Sequence, residues 1–352
     1  SLRLRRIGRI SLPHNYCLLG GRERIRVVCA MYTLHISHNG TFQQVTDLSL
    51  ISDYVADPQT LLWLDLEAPD EAEVQLLSAE FGFHPLAIED AVRDHERPKV
   101  DSYENYYLLI FYSARYVAGD DLKLHLLNLN LFVGPNYLVT IRRGPISEVQ
   151  ATLDLWRTSN TPIGQNVPRL LHALLDMIVD NYFTLMDQVV DRVEELEDTI
   201  FSRFRTEAIQ DIFQLKKDLL LLRRVVAPER DVLNVLLRQE MIALRGPEMA
   251  YMQDVYDHLV RVTDSIDTYR DLLSSALDSY LSLQSNQLNQ LVKVLTLASI
   301  ILMACSLVAG IYGMNFAHMP ELAWPWGYPF ALALMLSIGL TLGLFFKSRR
   351  WW

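Results

Sequence analysis

Six aspartates recur along one stretch of the chain, Asp254, Asp257, Asp264, Asp267, Asp271 and Asp278, and a row of small or weakly polar residues follows them. Carboxylates and neutral oxygens in file along a helix are groups that attract and pass cations. At about 100° per residue, Asn289, Val292, Leu295, Thr296, Ser299, Met303, Ser306 and Gly310 share an arc of about 120°, whereas Leu297, Ile300, Ile301, Val308 and Ile311 lie outside it. Two readings fit this second stripe: a tight seam between helices, or the lining of a pore. The acidic stripe is either a solvated face or the approach to such a pore. Covalent chemistry finds no comparable support, since the chain has no P-loop, Gly-x-Ser-x-Gly, His-Glu-x-x-His or dinucleotide fingerprint. Cys17, Cys29 and Cys305 are too scattered for a disulfide framework or a thiolate metal site. The expectation is a protein that is not an enzyme.

The elements that must carry these stripes are unusual. After Pro168 the chain runs from Arg169 to Ala227 without Gly or Pro, at helical spacing, and residues 247–312 continue the pattern for 66 residues, which would make a helix of about 100 Å. A helix of that length implies a stalk, a coiled coil or a membrane rod. Residues 294–312 and 329–346 carry no charge, and each run is long enough to cross about 30 Å of hydrocarbon. Lys293 precedes the first run and Lys347, Arg349 and Arg350 follow the second, while residues 313–328 between them hold no Lys or Arg. The positive-inside rule then places both termini in the cytoplasm and the short connection outside, in a multi-pass protein of the cell (inner) membrane. Two spans enclose no pore, so conduction would require several copies around an axis.

Upstream, residues 31–165 mix strand-length apolar runs, broken at Asn39-Gly40 and Gly134-Pro135, with helices beginning at Asp70 and Pro85, which is the pattern of an α/β domain. Residues 1–30 hold seven arginines and one acid, a net of +6, so the remaining chain carries −16 of the overall −10. That leader lacks the apolar core of a secretory signal and reads as non-native or disordered. The body is decidedly acidic, and no nucleic acid is expected among its partners. The expected organisation is therefore a basic leader 1–30, an α/β domain 31–165, a helical hairpin 166–246, a stalk with first transmembrane helix 247–312, an extracytoplasmic loop 313–328, a second transmembrane helix 329–347 and a cytoplasmic tail 348–352.

Tyr312-Gly313-Met314-Asn315-Phe316, followed by Met319-Pro320-Glu321-Leu322, stands between the two apolar runs. This motif in this position resembles the CorA family of magnesium transporters. The resemblance extends to His84-Pro85-Leu86 before Glu89-Asp90, Arg97-Pro98-Lys99-Val100, and Asp254-Val255-Tyr256-Asp257-His258. It implies a homopentameric channel in the lipid bilayer: an α/β cytoplasmic domain, a long α-helical stalk and a two-helix transmembrane hairpin, conducting Mg2+ and, with it, Co2+ and Ni2+. Gly313, Met314 and Asn315 would form the selectivity filter, with the Gly313 backbone allowing a tight turn and Glu321 attracting cations. Asp278, Asn289, Val292, Leu295, Ser299, Met303, Ser306 and Gly310 would line the pore. Glu89, Asp90, Asp176 and Asp254 would bind cytoplasmic Mg2+ between neighbouring subunits and hold the channel closed. Ala304 and Ser306 depart from a proline and a threonine common in the family. The competing readings are a zinc transporter of the same superfamily, with or without coupling to protons, and a membrane-anchored coiled-coil scaffold that moves no ion.

Overall fold

The computed structural model describes residues 31–93, 96–117, 123–158, 162–202, 207–238, 248–315, 319–320 and 324–349. The leader 1–30, Glu321 and the last three residues lie outside them. Two compact units are distinguished, Ser1–Leu273 and Ser274–Trp352, with the boundary inside one helix.

In the first unit, seven strands form one sheet: β1 (Met31–His38), β2 (Thr41–Val45), β3 (Thr60–Glu67), β4 (Lys99–Ser102), β5 (Tyr107–Val117), β6 (Lys123–Val133) and β7 (Tyr137–Arg142). Their order is β2-β1-β3-β7-β6-β5-β4, and every neighbouring pair is antiparallel except β3 and β7. β1 turns into β2 at Asn39-Gly40, where both residues take positive φ, 49° and 77°. Two left-handed residues in succession match the twist of a hairpin, which is why Asn-Gly is favoured there. β3 is buried along almost all of its length because helices cover both faces of the sheet. The helices of this α/β layer are α1 (Ile51–Ala56), α2 (Glu71–Phe81), α3 (Pro85–Val92) and α4 (Ser147–Arg157). Asp70 caps α2, accepting the Glu73 N–H while the Glu73 carboxylate accepts the Asp70 N–H, and Gly82 ends it at φ 66°. On one face of the sheet Phe83, in the connection between α2 and α3, stacks on Phe132; α4 meets the other face through Trp156 beside Trp63.

Gly134 opens the β6–β7 turn against the Tyr137 ring: a Cβ placed on it would lie 2.2 Å from Tyr137 Cζ. Tyr137 is buried among Phe81 and Phe83 and cannot swing aside freely. Gly134→Ala is therefore expected to lower stability by about 1–3 kcal/mol, read as a lower unfolding temperature; an unchanged midpoint would mean that the ring relocates at no cost.

Beyond the sheet come α5 (Val167–Ser202) and α6 (Glu207–Arg238), then α7 (Glu248–Tyr312), which begins in the first unit and ends in the second. The uninterrupted sequence pattern stops at Ala227, yet α6 continues through Pro228. Proline removes one backbone hydrogen bond, but buried Val225 and Val226 before it and Val232, Leu233 and Leu236 after it hold the helix together by packing. α7 is 65 residues long and has no break at Ala304, and α8 (Gly327–Ser348) follows it in the second unit. Both helices contain stretches long and apolar enough to cross a membrane.

Candidate functional site

In the first unit the long helices bring acids and imidazoles together. Asp176 and Asp180 lie one turn apart on α5, and Asp254 and His258 one turn apart on α7. His258 stands between the two helices: Nδ1 is 4.0 Å from Asp176 Oδ1 and Nε2 is 3.8 Å from Asp254 Oδ1. One ligand atom from each of Asp176, Asp180 and His258 fits within 4.8 Å of the others, so the three could share a metal ion. His258 Nδ1 and, one turn before Asp176, His172 Nε2 are buried without a hydrogen-bond partner. Burial raises the Asp176 carboxyl above the usual range, an effect that the neighbouring His172 opposes, and burial lowers the His172 imidazole. A carboxylate that is costly to ionise and an imidazole that stays neutral are both ready to be stabilised by a cation. Oxygen donors with one nitrogen admit Mg2+ but also suit a transition dication.

Thus two of the four expected regulatory acids, Asp176 and Asp254, converge on His258. Asp180 and His258 were not among the expected ligands. Their signal was the i, i+4 spacing to Asp176 and to Asp254, which puts each pair on one helix face. Glu89 and Asp90 on α3 are placed differently. Glu89 is ion-paired with Arg93, and Lys99 Nζ reaches Asp90 Oδ2 at 2.7 Å and Asp101 Oδ2 at 2.9 Å. Among the described residues, no contact joins these acids to Asp176 or Asp254.

The acidic stripe of α7 is not a bare row of charge. Asp267 receives a bidentate Arg223 at 2.7 and 3.2 Å, and Arg270 lies 3.4 Å from Asp267 and 3.7 Å from Asp271. Asp254, Asp257, Asp264 and Asp278 are exposed. For Asp267 and Asp271 the solvated, ion-paired face describes the structure better than a continuous cation path.

Within the second unit, the small-residue stripe and the α7–α8 seam are different faces. Leu297, Ile300, Ile301, Ala304, Cys305 and Val308 are half-buried, and two of them show the contact directly: Cys305 Sγ is 3.8 Å from Met335 O, and a Cβ on Gly339 would sit 3.7 Å from Ile301. Asn289, Val292, Leu295, Ser299, Met303, Ser306 and Gly310 are all exposed. A seam with α8 therefore does not account for the stripe. The Thr296 and Ser299 hydroxyls each donate to the carbonyl four residues back, Val292 O and Leu295 O, at 2.8 Å. With the proton so committed, each hydroxyl presents only lone pairs outward, an acceptor surface suited to a hydrated cation.

α7 closes on Gly313, whose N–H donates to Ala309 O at 2.9 Å, and the Met314 N–H donates to Ile311 O at 3.2 Å. Gly313 does not take a left-handed conformation, so the expected tight turn is not what calls for glycine; a Cβ there would press to 3.1 Å on Ala309 O. Asn315 follows directly, exposed beyond the helix end.

Residues 58–350 match the family of CorA-like Mg2+ transporter proteins. The chain belongs to the CorA family. Among CorA-family relatives, the cobalt/magnesium transport protein CorA of Thermotoga maritima is 34% identical over 313 residues, 88% of each chain. A putative metal ion transporter of Bacillus subtilis, YfjQ, is 32% identical over 82% of this chain and 89% of its own. The CorA fold is shared as well: the structure of the CorA magnesium transporter of Methanocaldococcus jannaschii superposes with a TM-score of 0.79 over 90% of this chain and 97% of that one, at 24% identity. CorA proteins are transporters, so membership in this family excludes an enzyme.

Proposed function

We propose that this protein is a homopentameric channel of the inner membrane, both termini cytoplasmic, that moves Mg2+ into the cytoplasm and accepts Co2+ and Ni2+. The observation that carries the reading is Gly313-Met314-Asn315 at the end of a charge-free helix in a CorA-family chain. Five copies of that helix, stripe inward, would surround one path, with a ring of Asn315 amides at its mouth and Val292, Leu295 and Met303 as an apolar constriction that closes by dewetting. Loop Glu321 adds attraction for cations. The names of the relatives, cobalt/magnesium transport protein among them, support Mg2+ and Co2+. Uptake into proteoliposomes of Mg2+, Co2+, Ni2+ and Zn2+, each with and without a pH gradient, tests it. Mg2+ entry without a gradient is expected; Zn2+ entry that depends on a proton gradient, with no Mg2+ entry, would replace it by the zinc reading.

Cytoplasmic Mg2+ bound by Glu89, Asp90, Asp176 and Asp254 at acidic interfaces between subunits would close the channel. Clustered carboxylates repel one another until a dication neutralises them, so metal favours the packed, closed arrangement. Asp90→Asn or Asp254→Asn is expected to weaken Mg2+ protection against proteolysis, and unchanged protection would leave these acids as surface charge. Because the Lys99 ammonium occupies Asp90 and must yield to a dication, Lys99→Met should lower the Mg2+ needed for half-protection several-fold.

A further inference from the structure

One flank of α8 is hollowed by a groove of about 500 Å3, bounded by Leu336, Gly339, Leu340, Gly343, Leu344 and Lys347. These residues recur every three or four positions and so make one line along the helix. The floor of the groove is bare backbone. A Cβ on Gly343 would meet no atom within 4 Å, and one on Gly339 would meet Ile301 of α7 at 3.7 Å, so the two glycines open the groove at the edge of the α7–α8 seam. Exposed Leu336, Leu340 and Leu344 stand beside them as a ridge. None of the bounding residues belongs to the stripe from Asn289 to Gly310.

Length and charge identify what fills it. From Leu336 to Lys347 the line extends about 16 Å at 1.5 Å per residue, half of a hydrocarbon layer about 30 Å thick. That is the depth of one acyl chain in one leaflet. Lys347 closes the line, exposed, at the end where a lysine lays its stem along apolar surface and holds its ammonium at the level of the headgroups. Arg349 is held off this line, 5.7 Å over the Phe345 ring. The chain has no Asp or Glu between Asp278 and Glu321 and none after Glu321, so no carboxylate of either helix near this level can neutralise Lys347.

A neighbouring copy cannot supply the missing charge. Cys305 lies against Met335 and Ile301 against Gly339, so α7 and α8 run antiparallel, and Lys293 and Lys347, each eight residues on from the second pair, stand at one level. Copies arranged around an axis along the membrane normal share that level. A neighbour's α7 would therefore bring Lys293 to the groove and a neighbour's α8 a second Lys347, and like charges oppose both. A lipid phosphate brings the anion, and its acyl chain gives the bare floor the contacts that an unfilled groove forfeits. We propose that this groove binds one phospholipid of the cytoplasmic leaflet with an anionic headgroup, the headgroup on Lys347 and one acyl chain along Gly343 and Gly339. The inference rests on α8 as a membrane span with its C-terminal end cytoplasmic, and not on the pore assignment.

The test titrates full-length, detergent-solubilised protein with phosphatidylglycerol or with phosphatidylcholine of the same acyl chains and counts the bound lipids by native mass spectrometry. Phosphatidylglycerol is expected to saturate at one per chain and to bind at least fivefold tighter than phosphatidylcholine. Lys347→Gln should remove that preference and Lys347→Arg should keep it. Gly343→Leu, which fills the groove, should weaken phosphatidylglycerol at least fivefold with the oligomer mass unchanged. Equal binding of the two lipids by the wild type, or binding unaffected by both Lys347→Gln and Gly343→Leu, would overturn the site. A smaller oligomer in Gly343→Leu would also overturn it, by giving the groove to a second copy. Mg2+ uptake by the wild type into phosphatidylcholine liposomes is measured in parallel: lipid preference without uptake would support the groove and count against the channel reading alone.

Discussion

Asn315→Ala is expected to abolish Mg2+ uptake into proteoliposomes while the oligomer stays assembled. Mg2+ gives up its waters reluctantly and holds them in octahedral geometry, so a filter that conducts it must bind the hydrated ion through its water shell. Neutral amide oxygens do this with modest strength. Alanine would remove them and leave no group at the proposed pore mouth to select the ion. Five carboxylates in the same ring would err in the other direction by holding the dication too firmly to release, so Asn315→Asp is expected to slow flux as well. Assembly should survive because Asn315 is exposed beyond the helix end and takes no part in the α7–α8 seam. Flux assays paired with size-exclusion chromatography separate the two effects. Normal uptake by the alanine variant would remove Asn315 from the permeation path.

The second large effect concerns pH. Glu229 on α6 is wholly buried, and its Oε1 accepts the Tyr112 N–H at 2.8 Å. The Tyr182 hydroxyl lies 2.6 Å from Tyr112 O and 3.0 Å from Glu229 Oε2. A carbonyl only accepts, so the single Tyr182 proton is spent on Tyr112 O, and the contact with Oε2 is a hydrogen bond only if the carboxyl brings its own proton. Burial, opposed by the bond from the Tyr112 N–H, pushes the Glu229 carboxyl up from 4.5 to about 8. A carboxyl raised in the folded state costs nothing below its unfolded value and progressively more above it. Wild-type stability should therefore fall between pH 4.5 and 8 and level off beyond, a total loss of about 3–5 kcal/mol. Glu229→Gln keeps a donor for Tyr182 and an acceptor for Tyr112 but cannot ionise. Urea unfolding at pH 5, 7 and 9 should show the wild type weakening and the variant flat over this range, with the variant the more stable at pH 9. Parallel pH profiles for both would place the titration elsewhere.

Local pattern carried much of what the chain is. The Asn39-Gly40 turn, the Asp70 cap with Glu73 three residues on, and the two charge-free runs each state their structure within a few residues, because turn geometry, capping and transfer from water depend on near neighbours. The motif at Gly313-Met314-Asn315 did the same for the family. Tertiary structure alone decided the rest. Only contacts across the chain show that β3 lies parallel to β7, that α6 passes through Pro228, and that the stripe from Asn289 to Gly310 faces away from α8. His258 meets Asp176 from a position 82 residues away, and Glu229 meets Tyr112 across 117. No periodicity reaches that far: a buried, neutral glutamate and a solvated one are spelled alike, and what separates them is the water excluded when distant helices pack.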